Sequence, residues 1–242
     1  MRGSDHVTNT ATQIQIIEAL GATPPDFAHH SLLTGAQGEG LSKRLGTLSL
    51  RDLRAQGVEP MALLSLMARL GSSQPVELFH SLDEIAENFS LDQFGAAPTK
   101  FDPDDLFPLT QKYVQSLPLS AVKERLAAIG VPEEMAAPFW NAVKDNITVL
   151  ADLDGWWKLV SEGAEPVVAP EDEEFVATAL SLLPPAPHDE TTWGTWTGAV
   201  KAATGRKGRG LFMPLRKALT GMDHGPEMAT LLPVLQKIPT NL

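Results

Sequence analysis

Cysteine is absent from the 242-residue sequence. Its absence excludes a disulfide framework and any thiolate metal site, and it gives no reason to expect an oxidising compartment. The sequence has no apolar run of about 18 residues or more, and the N-terminus is polar where a signal peptide would need an apolar stretch. The expectation is a soluble, cytoplasmic protein without a membrane partner.

Excess positive charge is also missing, since the formal net charge is -11. Affinity for nucleic acid comes mainly from Lys and Arg that replace counterions, so the overall charge disfavours such a partner, and no DNA binding is expected. The charge is unevenly distributed, however, and the segment from residue 201 to 217 contains no acidic residue. Its basic residues are Lys201, Arg206, Lys207, Arg209, Arg216 and Lys217. We name residues 201–217 the basic segment; it predicts a locally basic surface, although a solvated helix face is the ordinary alternative.

Most of the chain has the patterns of helices. Apolar residues recur at helical spacing from Thr12 to Leu20, and Ser49 with Asp52 three residues later predicts a helix N-terminus. Ser120 is a further candidate cap, and the acidic residues 171–174 suit the first turn of another helix. The one candidate buried strand is Phe27–Leu33, which a glycine-rich loop follows. The sequence predicts a mainly α protein.

Two N-terminal motifs resemble a known family. They are Arg-Gly-Ser-Asp-His at residues 2–6 and Leu-Ser-Lys-Arg at residues 41–44, with Phe-Ala-His at 27–29 between them. In this order they are similar to the second half of the catalytic domain of bacterial glutamyl-tRNA synthetases. Lys-Phe-Asp at 100–102 and the late block from Lys207 to Glu227 resemble that family's anticodon-binding region.

The resemblance implies a domain organisation. Residues 1–46 would be the remnant of a class I, Rossmann-type catalytic domain that carries the Leu-Ser-Lys-Arg loop. Residues 47–99 would form a helical connecting domain that contacts the tRNA stem. Residues 100–165 and 166–242 would be two helical anticodon-binding subdomains.

The resemblance also implies roles for residues near the N-terminus. Lys43 would be the catalytic residue that binds the leaving phosphates, and Arg2 would bind the carboxylate of glutamate. Asp5, His6, Leu41, Ser42, Lys43 and Arg44 would contact ATP. Magnesium is expected on the nucleotide, and no protein metal site is predicted, because the adjacent His29 and His30 would point to opposite faces of a strand.

The tRNA contacts are expected to be cations that neutralise phosphates and groups that read unstacked bases. The candidates are Arg51, Arg54, Lys144, Asn146, Arg206, Lys207, Arg209 and Arg216. Trp156 and Trp157 could stack on bases, but core packing is the favoured interpretation.

Two departures limit the activity that the resemblance implies. Gly40 stands where the family's signature loop has a lysine, and the sequence contains no His-x-Gly-His element, which class I synthetases also use. We therefore expect a monomeric C-terminal portion of a glutamyl-tRNA synthetase that binds tRNA weakly and does not form glutamyl-adenylate alone. The complete enzyme would use ATP, glutamate and a glutamate-accepting tRNA.

Other functions remain open at this stage. One is a naturally truncated, non-catalytic tRNA-binding or regulatory protein. Another is a helical interaction protein without an RNA role, which the acidic balance favours. Enzymes that transfer glutamate to tRNA bases also resemble the family, but they lack the long anticodon-binding extension.

Overall fold

The computed structural model describes residues 1–35, 38, 40 and 49–239. The chain divides into two compact units, Met1–Tyr113 and Val114–Leu242. Helices dominate both units, which confirms the mainly α fold class. No helix in the described ranges is long and apolar enough to cross a membrane. The four-domain division stays a prediction.

The first unit contains all four described strands. Each is two residues long, and together they are β1 (Arg2–Gly3), β2 (His29–His30), β3 (Leu33–Thr34) and β4 (Thr99–Lys100). β1 pairs in parallel with β2, so that Arg2 lies opposite His29, and β3 pairs in parallel with β4, so that Leu33 lies opposite Thr99. The expectation of one buried strand over residues 27–33 is therefore wrong. The chain changes its pairing partner between His30 and Leu33, and no residue from 27 to 33 is buried.

Short helices make up the rest of the first unit. They are α1 (Val7–Ala19), α2 (Leu50–Ala55), α3 (Pro60–Arg69), α4 (Leu82–Glu87) and α5 (Leu106–Ser116), whose last residues fall in the second unit. The Ser49 hydroxyl accepts a hydrogen bond from the Asp52 amide at 3.1 Å, which confirms the predicted cap of α2. A small core of seven buried apolar residues lies among these helices: Leu53, Val58, Ala62, Leu66, Phe101, Leu106 and Leu109.

The second unit contains helices and connecting loops, and no strand, in its described residues. Its helices are α6 (Leu119–Ala128), α7 (Glu133–Val143), α8 (Asp152–Glu162), α9 (Glu173–Ser181), α10 (Thr192–Thr204), α11 (Arg209–Thr220) and α12 (Met228–Leu231). Ser120 does not cap α6, because the helix already begins at Leu119 and Pro118 occupies the N-cap position. Gly205 and Gly221 adopt the left-handed conformation after α10 and α11, as expected for helix-ending glycines.

One extended core holds the second unit together. Its largest fully buried side chains include Trp196 and Phe139, and the Trp196 indole N–H donates to the carbonyl of Ala179 at 2.7 Å. This hydrogen bond satisfies the polar atom of a side chain that is otherwise enclosed by apolar groups. α9 and α10 are thereby fixed to each other.

Candidate functional site

Arg2 is held by several contacts at the start of the first unit. Its backbone pairs with β2, and its guanidinium lies 4.8 Å from the centre of the Phe27 ring. One guanidinium nitrogen, Nη1, donates to the Thr10 hydroxyl at 3.1 Å and also to the Gln13 side chain. No carboxylate forms an ion pair with it within the described residues. Its positive charge is therefore positioned by neutral groups.

Thr10 connects β2 with α1. Its hydroxyl, on a residue that is only 4% exposed, donates to the carbonyl of His6 at 2.9 Å. The same oxygen lies 2.9 Å from Nε2 of His29. His30 uses its ring nitrogen on the carbonyl of Ser31 instead, so the two adjacent histidines have different partners. The result is a polar cluster of Arg2, Thr10 and His29 beside α1.

Asp5 and His6, two predicted ATP contacts, lie next to this cluster. Both side chains are more than half exposed, and the Asp5 carboxylate lies 3.8 Å from Nε2 of His6. Asp5 also folds over Gly3, where an added Cβ would lie 2.5 Å from the Asp5 carboxylate oxygen. The absence of a side chain at Gly3 therefore allows this position of the Asp5 carboxylate. The side chains of Asp5 and His6 both remain open to a ligand.

An apolar cleft of about 400 Å³ opens beside β2 in the same unit. Its lining includes His29, Leu33, Met67, Phe89 and Phe94, whereas Arg2, Asp5 and His6 do not line it. The cleft would suit an apolar group more than a phosphate, because no lysine or arginine lines it.

The Leu-Ser-Lys-Arg motif lies outside the described residues. Leu41, Ser42, Lys43 and Arg44 thus remain predictions from the sequence alone. Among the residues that are described, no group of three or more His, Asp or Glu side chains could hold a metal ion.

The basic segment spans the end of α10 and most of α11 in the second unit. Lys201, Lys207 and Arg209 are exposed there. Arg206 behaves differently: it forms an ion pair with Asp172, and its guanidinium lies 4.1 Å from the Phe175 ring centre. Its charge is thus largely neutralised within the unit. Of the three exposed cations, Lys201 lies on α10, and Lys207 and Arg209 lie at the start of α11.

Arg216 lies on α11 beside a pocket of about 330 Å³. The pocket is lined by Trp193, Phe212, Arg216, Glu227, Met228 and Ala229. One guanidinium nitrogen of Arg216, Nη2, donates to the carbonyl of Pro226 at 2.7 Å. The other terminal nitrogen, Nη1, is buried without a hydrogen-bond acceptor among the described residues. Burial lowers the pKa of Arg216 from its usual value.

Gly225 lies beside this guanidinium and the Trp156 ring. Its φ is 129°, a conformation that favours glycine, and an added Cβ would lie 2.9 Å from Trp156 Cη2 and 3.5 Å from Arg216 Nη1. Gly225 therefore allows the Trp156 ring to approach this stretch of backbone, whereas Arg216 lies at an ordinary contact distance.

The remaining tRNA candidates are dispersed. Lys144 and Asn146 begin and end a short 3₁₀ helix after α7, where Asn146 is exposed and Lys144 half-buried. Arg51 and Arg54 are exposed on α2 in the first unit. Each pair is accessible to a ligand, but neither is gathered into a pocket with other candidates.

The tryptophans divide between core and pocket. Trp156 and Trp157 pack against the core, and Trp157 meets Phe139 edge to face at 5.3 Å, which confirms core packing as the better interpretation. Sequence reasoning missed the pocket walls Trp193 and Phe212, whose ring centres lie 6.3 Å apart. The available signal was Trp193 and Trp196 three residues apart, of which one is buried and the other half-exposed.

The sequence matches known proteins along nearly its whole length. Residues 1–108 match the family of class I tRNA synthetases (E and Q), catalytic domain. The chain is 69% identical over 238 residues to glutamate-tRNA ligase 2 of Cereibacter sphaeroides, which covers 98% of this chain and 54% of that protein. It is 67% identical to glutamate-tRNA ligase 1 of Paracoccus denitrificans, with the same coverage.

A solved structure shares the fold. The glutamate tRNA ligase from Elizabethkingia meningosepticum, crystallised in complex with its amino acid, aligns with a TM-score of 0.78 and 23% identity. The alignment covers 97% of this chain and 53% of that one. The chain thus spans about half the length of the proteins that it matches. Within that span, the sequence identity makes it a member of the glutamate-tRNA ligase family of class I tRNA synthetases.

Proposed function

We propose that this chain is the C-terminal, tRNA-binding part of a glutamate-tRNA ligase, the enzyme that attaches glutamate to its tRNA with ATP. The observation that carries the proposal is the 69% identity to a glutamate-tRNA ligase over 98% of the chain. Two features of the second unit, described below, support the tRNA-binding role.

The first feature is the group of exposed cations around the N-terminus of α11. Lys207 and Arg209 flank Gly208, which precedes the first turn of that helix. A helix N-terminus carries partial positive charge, and nearby cations add to it. Such a surface suits phosphate groups of a tRNA backbone, despite the acidic net charge of the chain.

The second feature is the Arg216 pocket. Its aromatic side chains offer stacking surfaces, the Arg216 side chain lines it, and the exposed Glu227 carboxylate offers an acceptor. Glu227 would repel a phosphate but can accept a hydrogen bond from the amino group of a base. The pocket therefore suits an unstacked nucleobase better than a phosphate.

The first unit would supply part of the activation site in the complete ligase. Arg2, free of an acidic partner in the described residues, would bind the glutamate carboxylate, and Asp5 and His6 would contact the adenosine. Lys43 would stabilise negative charge on the phosphates. Magnesium would arrive with the nucleotide, since no described cluster of acids or histidines could hold it.

A tRNA-binding assay tests the proposal with charge-matched variants. Arg209→Glu should weaken binding of glutamate-accepting tRNA at low salt at least ten-fold. It should also reduce the slope of log affinity against log salt by about 0.7 to 0.9, the share of one phosphate contact. Lys158→Glu is the control, because Lys158 is exposed in the same unit but lies outside the basic segment. Equal effects of the two variants would contradict the proposed surface.

The pocket is tested separately with Arg216→Lys, which keeps the charge but loses the planar fork. We expect weaker binding of the cognate tRNA and little change for a tRNA with an unrelated anticodon. A parallel loss for both tRNAs would assign Arg216 to phosphate contact or to structure instead of base reading.

Adenylate formation is the third test. The purified chain should show no glutamate-dependent exchange between ATP and pyrophosphate above background. Measurable exchange would overturn the expectation that the chain alone lacks a working activation site.

A further inference from the structure

Another pocket of the second unit lies along one side of α11. Its volume is about 490 Å³, and one wall consists of residues 167–169 with Asp172. The wall that α11 provides consists of Arg209, Gly210, Met213, Pro214 and Lys217. We name this cavity the Arg209–Lys217 pocket. It is separate from the proposed nucleobase pocket, with which it shares no lining residue.

The two walls of this pocket are fixed to each other by the backbone. The Val167 N–H donates to the carbonyl of Lys217 at 3.2 Å. Gly221, at the end of α11, lies close to the same stretch of chain, since a Cβ there would lie 3.1 Å from the carbonyl oxygen of Glu165. The pocket is therefore already formed in the free chain.

Two cations line the pocket without an acidic partner. Arg209 is exposed and Lys217 is half-buried. Neither side chain forms an ion pair or a hydrogen bond within the described part of the chain. Gly210 adds to the positive character, because it is the second residue of α11, where a backbone N–H has no intrahelical acceptor.

The acidic groups near these cations have other partners. Asp172, the one carboxylate of the lining, forms an ion pair with Arg206. Asp223 lies near Lys217, but its pKa is lowered chiefly by its hydrogen bond with His224, and the charge of Lys217 contributes least. The pocket thus retains two positive charges that no lining carboxylate neutralises.

The spacing of the two cations favours an extended anion. Arg209 and Lys217 are eight residues apart on α11, which is about 12 Å along the helix axis. Two linked phosphates could reach both cations, whereas one phosphate could do so only if both side chains converged on it. The apolar lining residues Val168 and Met213 strengthen the attraction, because walls of low dielectric constant focus the field of the cations.

We propose that the Arg209–Lys217 pocket is a binding site for a pair of linked phosphate groups, with one phosphate facing each cation. A free diphosphate and two consecutive backbone phosphates of a nucleic acid offer this same chemistry. The inference rests on the pocket and not on the tRNA-binding proposal. Its first test therefore contains no tRNA.

The first test is a titration of the full chain with inorganic pyrophosphate. Divalent cations are left out, and sodium chloride keeps the ionic strength constant. Backbone amide signals followed by nuclear magnetic resonance should shift and saturate at Gly210 and Lys217, while those of α6 should stay in place. Shifts that do not saturate, or that are largest outside the pocket, would overturn the proposal.

Variants that remove one charge each locate the site. Arg209→Gln and Lys217→Gln should each lower the affinity for pyrophosphate about five-fold or more. Lys201→Gln is the matched control and should change it less than about two-fold. Lys201 is exposed in the same basic segment but does not line the pocket.

Circular dichroism should show the parent fold in all three variants, since neither lining cation holds a partner. Equal losses in all three would indicate diffuse attraction and overturn the site. A loss in only one of the two lining variants would overturn the bridging geometry.

Competition with labelled glutamate-accepting tRNA identifies the source of the phosphates. If backbone phosphates occupy the pocket, pyrophosphate at constant ionic strength should release the tRNA from the parent chain, and Lys217→Gln should weaken tRNA binding. If a free diphosphate is the ligand, tRNA and pyrophosphate should bind independently. Both results support the phosphate site, whereas undiminished pyrophosphate binding by a chain with both lining substitutions would overturn it.

Discussion

Helices α1 and α11 are similar in length and opposite in burial. α1 has 13 residues and buries only Thr10, whereas α11 has 12 residues and buries six of them. The buried residues of α11 recur at helical spacing and form one stripe: Leu211, Pro214, Leu215, Ala218, Leu219 and Thr220. The larger apolar residues of α1 fall within about half of its circumference, yet none of them is buried. The second unit therefore buries the apolar face of its helix, while the N-terminal part of the first unit does not.

The largest expected effect is the loss of a core side chain from the second unit, which is the better packed of the two. Trp196→Ala removes a buried side chain and its hydrogen bond to Ala179, so it should lower the free energy of unfolding by about 3 to 5 kcal/mol. Ile16→Ala on α1 should change it by less than about 0.5 kcal/mol. Urea denaturation followed by circular dichroism measures both, and similar losses would contradict the difference in packing.

A smaller loss of stability is expected on substitution of Arg206, which was predicted from the sequence to contact tRNA. Arg206→Ala breaks the ion pair with Asp172 and the contact with Phe175, both partly exposed to solvent, and should cost about 1 to 2 kcal/mol. Its effect on tRNA affinity should be smaller than that of Arg209→Glu. Stable protein with a large loss of tRNA binding would reverse this assignment.

The N-terminal cap of α2 allows the free energy of unfolding to be tested in the first unit as well. Ser49→Ala removes the acceptor for the Asp52 amide and should cost about 1 kcal/mol. Ser49→Asp keeps an acceptor and should cost less. If neither change alters the urea midpoint, the start of α2 is stabilised by packing instead of by its cap.

The smallest expected effect depends on pH. Burial raises the pKa of Glu59, which occupies the N-cap position of α3. Because folding raises this pKa, the contribution of Glu59 to folding stability is complete below the ordinary pKa of 4.5, where the side chain is protonated in both states. It is lost as the pH rises through the pKa of the folded state.

Glu59→Gln should therefore stabilise the first unit relative to the parent chain more at pH 7 than at about pH 4. The difference should remain below about 1 kcal/mol, because solvent still reaches the carboxylate. Urea midpoints measured at both pH values provide the check. A greater benefit at the acidic pH would contradict the sign.

Local features of the fold were predictable from the sequence. The Ser49 cap and the glycines at 205 and 221 act within a few residues, so their spacing is sufficient to identify them. Ser120 shows the limit of this reasoning. Its residue type suits a cap, but Pro118 occupies the N-cap position and the helix begins at Leu119.

Non-local features were not predictable. β2 and β3 pair with strands distant in sequence, and Arg206 pairs with a carboxylate 34 residues away. The Arg216 pocket likewise depends on Trp193 and Glu227, which are brought together only by the packing of α10, α11 and α12. The motif at 41–44 identified the family from the order of residues, and the role of Lys43 stays a prediction.

The absence of a side chain at position 225 constrains how this protein could change its ligand preference. Even an alanine there would push against the Trp156 ring and would strain a backbone with φ of 129°. Variation in the proposed nucleobase pocket would therefore have to arise at its rim, where Phe212 and Glu227 are exposed, while the backbone at position 225 stays fixed.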